Sequence, residues 1–339
     1  FSIGFDVDDG DGRFNIDSIL AKKTAEYYKT DHHELNISVK DTVDNLEKVV
    51  WHMDDLVSNP TQVSMFLLSK LTRENNVKVV LTGDGGDELF GGYERYYYYN
   101  LIEKWWKLPK SLRKRINNRQ LLHLLGKDKV YQKLNLDNEF EVFLSFRSQK
   151  DDMVNKFLNP EINNLSLSQE YIRSRCFKMP ERTMDLAKRL MKADIDTWLV
   201  DESLAQTDRM TMAWGVEQRV PILDYELLEL AMRVPTKYKV RSPQKGKWIM
   251  KQAMKEYLPD FIFHKEKTAW FSPISHWLRG DLKDMAYEIL SPGYNPDFSS
   301  FVDPRAVRQM LDDHISKKQY AMSNIWSLMI FQIWLKQFK

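Results

Sequence analysis

The stretch VVLTGDGGDELFGGYERY, Val79 to Tyr96, decides the fold class. Its short apolar run, Val79 to Leu81, reads as a strand buried on both faces, as strands of parallel sheets are. The run leads directly into Thr82-Gly83-Asp84-Gly85-Gly86-Asp87-Glu88. Small residues and acids therefore stand at the carboxyl end of a strand, where α/β proteins place ligands. Glycines let backbone approach a ligand closely, and carboxylates can hold a hard cation. Generic nucleotide fingerprints do not fit. Counting G-x-G-x-x-G from Gly83 puts Glu88 at the last glycine, and G-x-x-x-x-G-K-[ST] is absent. On spacing alone, a glycine-rich turn with solvated acids is an equal alternative.

Working outward, residues 1–100 alternate short apolar runs with amphipathic stretches, which predicts a parallel α/β sheet. FSIGF, Phe1 to Phe5, is a first strand, and Asp6 to Gly12 a loop rich in Asp and Gly. Ile16 to Tyr28 is helical, with Asn15 or Asp17 as cap, and His33 to Ile37 is a second strand. Val43, Leu46 and Val50 share one helical face, as do Val63, Leu67 and Leu71 after Pro60. From Tyr93 to about Met184 strand signals vanish, and from Asp185 onward the pattern is helical, punctuated by prolines. The expected divisions are an α/β part at 1–100, a helical variable region at 101–185 and a helical remainder at 186–339. YERYYYYN, Tyr93 to Asn100, could stack bases but reads better as a packed helix start. The pair His32-His33 has no third ligand at metal-like spacing and reads as strand-edge histidines.

The chain has 339 residues, 43% hydrophobic and 29% charged, which excludes disorder, collagen and a small disulfide scaffold. Lys plus Arg at 50 against Asp plus Glu at 48 leaves a net charge of +2, with no sign of a nucleic-acid or membrane partner. The single Cys176 excludes an internal disulfide and fits a reducing, cytoplasmic setting. Ile325 to Leu335 is apolar but interrupted by Ser327 and Gln332, and falls short of the ~20 residues that span a bilayer. The chain opens on Phe1 inside a strand pattern that lacks signal-peptide features, so the expectation is cleavage or missing upstream sequence.

Thr82-Gly83-Asp84-Gly85-Gly86-Asp87-Glu88-Leu89-Phe90-Gly91-Gly92-Tyr93 closely resembles the signature of the synthetase domain of B-type, glutamine-dependent asparagine synthetases. Further pieces of that pattern recur in order: FSIGF at Phe1 to Phe5, DHHELNI at Asp31 to Ile37, and Asp208-Arg209-Met210-Thr211-Met212-Ala213. Glu217-Gln218-Arg219-Val220-Pro221-Ile222-Leu223-Asp224 and His264-Lys265-Glu266-Lys267 continue it, so the resemblance covers nearly the whole chain. It implies an adenine-nucleotide alpha-hydrolase-like (PP-loop) sheet, here incomplete. The family's N-terminal glutaminase domain and its pyrophosphate loop, S-G-G-x-D-S, are not in this sequence. In the related fold the strand feeding that loop lies between those matching FSIGF and VVLTG. Without it they would stand two strand spacings, roughly 9–10 Å, apart. A gap that wide and apolar should not persist in a stable monomer, so an upstream segment in the same or a separate chain is the expected partner.

The resemblance also implies chemistry: MgATP adenylates a carboxylate, by default aspartate, and ammonia from glutamine attacks the acyl carbon. ATP and Mg2+ are the implied cofactors. Asp87 corresponds to the magnesium ligand, and Asp84 to a residue on the substrate or nucleophile side. Lys267 corresponds to the lysine that stabilises phosphate charge, although Ala269 and Trp270 stand where Gly and Phe are usual and Lys265 replaces a frequent Arg. Ile3, Thr82 and Gly83 match positions lining the adenosine pocket. Glu88, Asp208, Arg209, Glu217, Arg219 and Asp224 match family residues that either touch substrate or orient helices. Two other readings stay open, a non-catalytic binding or scaffold subunit and one half of a split amidotransferase. A homodimer also stays open.

Overall fold

The computed structural model describes residues 1–7, 12–117, 132–146, 154–162, 166–177, 184–243, 245–265 and 272–339. Strand β1 (Ser2–Phe5) pairs in parallel with β2 (Glu34–Ile37), in the register Ile3 to Leu35 and Phe5 to Ile37. Helix α1 (Ile16–Tyr28) makes the crossover between them, with the bounds its sequence pattern predicts. Asn15 precedes α1, yet its side chain does not cap the helix. Its amide instead closes onto β1, accepting from the Phe5 N–H at 2.7 Å and donating to the Phe5 carbonyl at 3.0 Å. A capping box starts α2 (Val39–Met53): Ser38 Oγ accepts from the Asp41 N–H while the Asp41 carboxylate accepts from the Ser38 N–H. Leu46, Val49, Val50 and Met53 of α2 and Val63, Phe66 and Leu67 of α3 (Gln62–Glu74) are buried.

Strand β3 (Val79–Leu81) belongs to a second parallel pair, with β4 (Glu217–Arg219). The two pairs are separate sheets, β1-β2 and β3-β4. Two sequence expectations are corrected here. The Val79–Leu81 run is not buried on both faces: Val79 is 51% and Leu81 72% exposed, two residues apart and so on the same face of β3, which is open. Glu217–Arg219 lies in a region whose pattern read as helical. Three polar residues carry no apolar alternation, so only pairing with β3 reveals the strand.

The largest apolar cluster joins the beginning and the end of the chain. Ile3, Phe5 and Ile37 pack with residues of α2, α3 and the helix Met322–Phe338. That helix carries the apolar stretch Ile325 to Leu335, and Ile325, Trp326, Met329, Ile330 and Ile333 are all buried inside the protein. Among the described residues no helix is long and apolar enough to cross a membrane. A second cluster gathers Tyr96, Tyr99 and Ile102 of α5 (Glu94–Trp106) against Leu186, Leu190 and Met191 of the helix Leu186–Asp194. The tyrosine run is thus a packed helix start. Asp194 is buried at this junction, where Arg95 Nη2 lies 3.0 Å from its carboxylate and the Tyr96 hydroxyl donates to it at 2.8 Å.

Lys239, at the end of the short helix Thr236–Lys239, is 0% exposed, and among the described residues its Nζ has no hydrogen-bond partner. Burial, reinforced by the Lys188 ammonium, pushes its pKa down to about 8, with Asp185 acting in the opposite sense. The folded value lies below the ordinary 10.5. The unfolded chain then binds the proton more readily between the two, and stability rises with pH across that window. Lys239→Met is expected to unfold at higher urea than the wild type at pH 7, by on the order of 2–3 kcal/mol. The gain should shrink as pH approaches 10.5; a gain independent of pH would show that the charge is not its source.

Candidate functional site

The acidic loop owes its shape to the ladder behind it. The Glu217 N–H donates to the Lys78 carbonyl at 2.7 Å and the Thr82 N–H to the Arg219 carbonyl at 3.0 Å, so β4 is held alongside β3 up to the first loop residue. The chain then turns through Gly85, at φ +79° against the Leu223 side chain, into the single-turn helix α4 (Gly86–Phe90). A Cβ would be strained at that φ and would collide with Leu223.

Period-2 alternation on β4 decides what meets the loop. Glu217 and Arg219 point to solvent and pair with each other at 2.8 Å. Gln218 points the other way, and its Nε2 donates to Thr82 Oγ1 at 2.5 Å and to Asp84 Oδ2 at 2.7 Å. The Thr82 hydroxyl donates to the same Oδ2 at 2.7 Å, and Ser203 Oγ reaches Asp84 Oδ1 at 3.2 Å. Both oxygens of Asp84 are therefore held, by groups from the loop itself, β4 and the segment Ile195–Leu204.

Asp87, in the first turn of α4, faces a cation. Lys247 Nζ lies 3.1 Å from its Oδ1. Lys247 has φ +53°, a strained value for a side-chain-bearing residue, and its backbone N–H donates to the Phe90 carbonyl at 3.2 Å. Gly92 packs directly on the Asp87 carboxylate, and a Cβ there would overlap it.

Glu88 points inward and is only 2% exposed. The Tyr93 hydroxyl at 2.7 Å and the Trp198 indole N–H at 2.9 Å both donate to its Oε1. Burial raises its pKa above the usual carboxylate value, although the Tyr93 hydrogen bond opposes the shift. Trp198 and Ser203 both come from Ile195–Leu204, which winds as a π-helix between Leu186–Asp194 and Ala205–Met212. Five residues advance an α-helix by roughly 140° at about 100° per residue, whereas i→i+5 closure brings such a pair onto one side. That winding lets one segment reach Glu88 and Asp84 together.

The asparagine synthase family model matches residues 1–336, nearly the whole chain. The chain belongs to the asparagine synthase family. It is 27% identical to a glutamine-hydrolysing asparagine synthetase 1 of Bacillus subtilis over 98% of its own length and 51% of that protein's. It is 25% identical to asparagine synthetase 3 of Arabidopsis thaliana over 80% of its length and 34% of the relative's. With asparagine synthetase 2 of Oryza sativa it shares 26% identity over 84% of its length and 35% of the relative's. The chain thus spans about half, or less, of the curated relatives it matches.

The remaining residues singled out in the sequence are dispersed. Ile3 is buried in the main core on β1, in a different sheet from β3, which leads into Thr82 and Gly83. Asp208 is exposed, and the Arg209 guanidinium donates to the Met53 carbonyl at the end of α2. The Asp224 carboxylate caps the helix Tyr225–Arg233 through the N–H groups of Glu226 and Leu227. Lys267 lies outside the described residues. His32 bonds Ser2 Oγ at 2.8 Å, and the His33 ring stacks on Phe1. Sequence reading missed Gln218, Ser203, Trp198 and Lys247. Gln218 lay inside a quoted motif and was passed over for its charged neighbours; strand alternation would have flagged it once β4 was recognised.

Among the described residues no group of three or more His, Cys, Asp or Glu could hold a metal by itself. Asp87 offers one carboxylate, the mode in which magnesium is bound when phosphate oxygens and water complete its octahedron. Four residues earlier in the loop, Gly83 has no described atom within 4 Å of where a Cβ would stand. A single carboxylate of this kind fits a magnesium ion carried by phosphate.

Trp198→Phe keeps a smaller aromatic ring and deletes one of the two side-chain donors to the buried Glu88. It is expected to lower unfolding free energy by about 1–3 kcal/mol in urea titrations. An unchanged midpoint would show that the indole N–H does not carry the contact between α4 and the π-helix.

Proposed function

We propose that the chain is the synthetase part of an asparagine synthetase-like amidotransferase. ATP activates a substrate carboxylate, by default that of aspartate, as an acyl-adenylate with release of pyrophosphate. Ammonia, derived from glutamine elsewhere in the complete enzyme, then attacks the acyl carbon and AMP leaves. The observation that carries the reading is the arrangement of Asp84 and Asp87 at the carboxyl end of a parallel strand, beside the open space at Gly83. Parallel α/β sheets bind ligands at that end.

In this reading Asp87 supplies the protein's ligand to magnesium, which would neutralise charge on the phosphates, and Lys247 and Lys267 add positive charge. Thr82 and Gly83 give backbone approach to the nucleotide. Asp84 faces the amine, and Glu88 is an internal anchor between α4 and the π-helix. A cytoplasmic setting belongs to the same reading. Among the described residues the separation of β1-β2 from β3-β4 supports a further strand between the pairs, completing a PP-loop sheet. That strand would come from sequence beyond this chain or from a partner chain.

Asp87→Ala, in the protein expressed from its complete reading frame, is expected to abolish carboxylate-dependent pyrophosphate release. MgATP at about 100 times its dissociation constant should stabilise the wild type by about 2.7 kcal/mol. Retained turnover in Asp87→Ala would remove its assigned role. A wild type with neither turnover nor MgATP stabilisation would favour a scaffold subunit instead.

A further inference from the structure

Gln218 lies on the site-facing side of β4, between two charged residues that face solvent. Its amide orientation is fixed by chemistry. Turned the other way, the amide oxygen would sit 2.7 Å from a carboxylate oxygen, acceptor against acceptor, so nitrogen must face Asp84. The same nitrogen donates to Thr82 Oγ1, whose hydroxyl is thereby directed onto Asp84 Oδ2. Ser203, from the π-helix, holds the second oxygen. Donors from two distant elements and the loop therefore converge on one partly buried carboxylate, and none of them is charged. Neutral donors fix the direction of an acceptor without cancelling its charge, as an arginine or lysine would.

We propose that Gln218, backed by Ser203, is a positioning residue that sets the Asp84 carboxylate as the hydrogen-bond acceptor for the incoming amine. The inference rests on the amide-forming reading and names the step at which these residues act. In that step the ammonia nitrogen forms a bond to the acyl carbon, the bond from that carbon to the AMP oxygen breaks with its electron pair leaving on the AMP phosphate, and a proton passes from the nitrogen to the Asp84 carboxylate and on to water. An acceptor that swings freely would leave the amine unoriented while nucleotide and carboxylate still meet. Gln218 and Ser203 thus govern the second half-reaction more than the first.

The test separates the two half-reactions in the protein expressed from its complete reading frame. Carboxylate-dependent exchange of labelled pyrophosphate into ATP reads adenylation, and amide formation with ammonium chloride as nitrogen source reads attack, with aspartate first and then a panel of carboxylates. Gln218→Leu is expected to lose amide formation at least about tenfold more than it loses exchange, with a raised KM for ammonia. Ser203→Ala, a milder change, should shift the same ratio in the same direction by a smaller factor. Exchange retained by either variant shows that it has folded. Equal losses in both half-reactions, or no loss, would overturn the positioning role and leave the amide-forming reading standing. A wild type without exchange on any carboxylate would overturn that reading, and this inference with it.

Discussion

The winding of Ile195–Leu204 is the constraint on which the site depends. Leu186–Asp194, the π-helix and Ala205–Met212 follow one another without a break. The first packs in the tyrosine cluster through Leu186, Leu190 and Met191, and the last enters the main core through Met210. A single rod thus joins both apolar clusters, and its middle lies against the acidic loop. π-Helices are rare and concentrate at functional sites, because their hydrogen bonds are poorer and something else must hold them. Here Trp198 on Glu88 and Ser203 on Asp84 supply such anchors, while Thr197 Oγ1 returns to the Ala193 carbonyl at 2.7 Å.

Asp84, Asp87 and Glu88 crowd like charge into one turn, and each is handled by a different device. Asp84 is surrounded by neutral donors, Asp87 by an ammonium, and Glu88 by burial with two neutral donors. Burial disfavours ionisation of Glu88. The consequence is a division of labour within a short sequence. One acid is buried between two neutral donors, one is held by neutral donors at both oxygens, and one is matched to positive charge.

Packing and hydrogen bonds tie distant parts of the chain to the helices around the loop. The apolar helix Met322–Phe338 covers α2, and Arg209 ties the helix Ala205–Met212 to the end of α2 through the Met53 carbonyl. Asp224 starts the next helix by capping it. These residues hold the loop's surroundings in place from a distance. The Arg209 and Asp224 side chains bond backbone groups.

The sequence by itself determined the elements whose signals are local. The bounds of α1, the crossover to β2 and the acidic loop at the end of β3 follow from periodicity and glycine placement, which depend on neighbours a few residues away. Resemblance across the chain identified the family. Tertiary structure alone decided the rest. β4 carries no apolar alternation, so its existence and its facing parity depend on pairing with β3, and that parity put Gln218 rather than Glu217 or Arg219 against Asp84. Asn15, legible as a cap, became a clamp on Phe5 because the helix start lies beside β1 in space. The apolar Val79–Leu81 run says that the strand prefers burial, but what lies beside it is set by chain connectivity and not by composition. Contacts between residues more than a hundred positions apart, such as Ser203 with Asp84, leave no periodic trace in sequence, because neither partner's neighbours record the other.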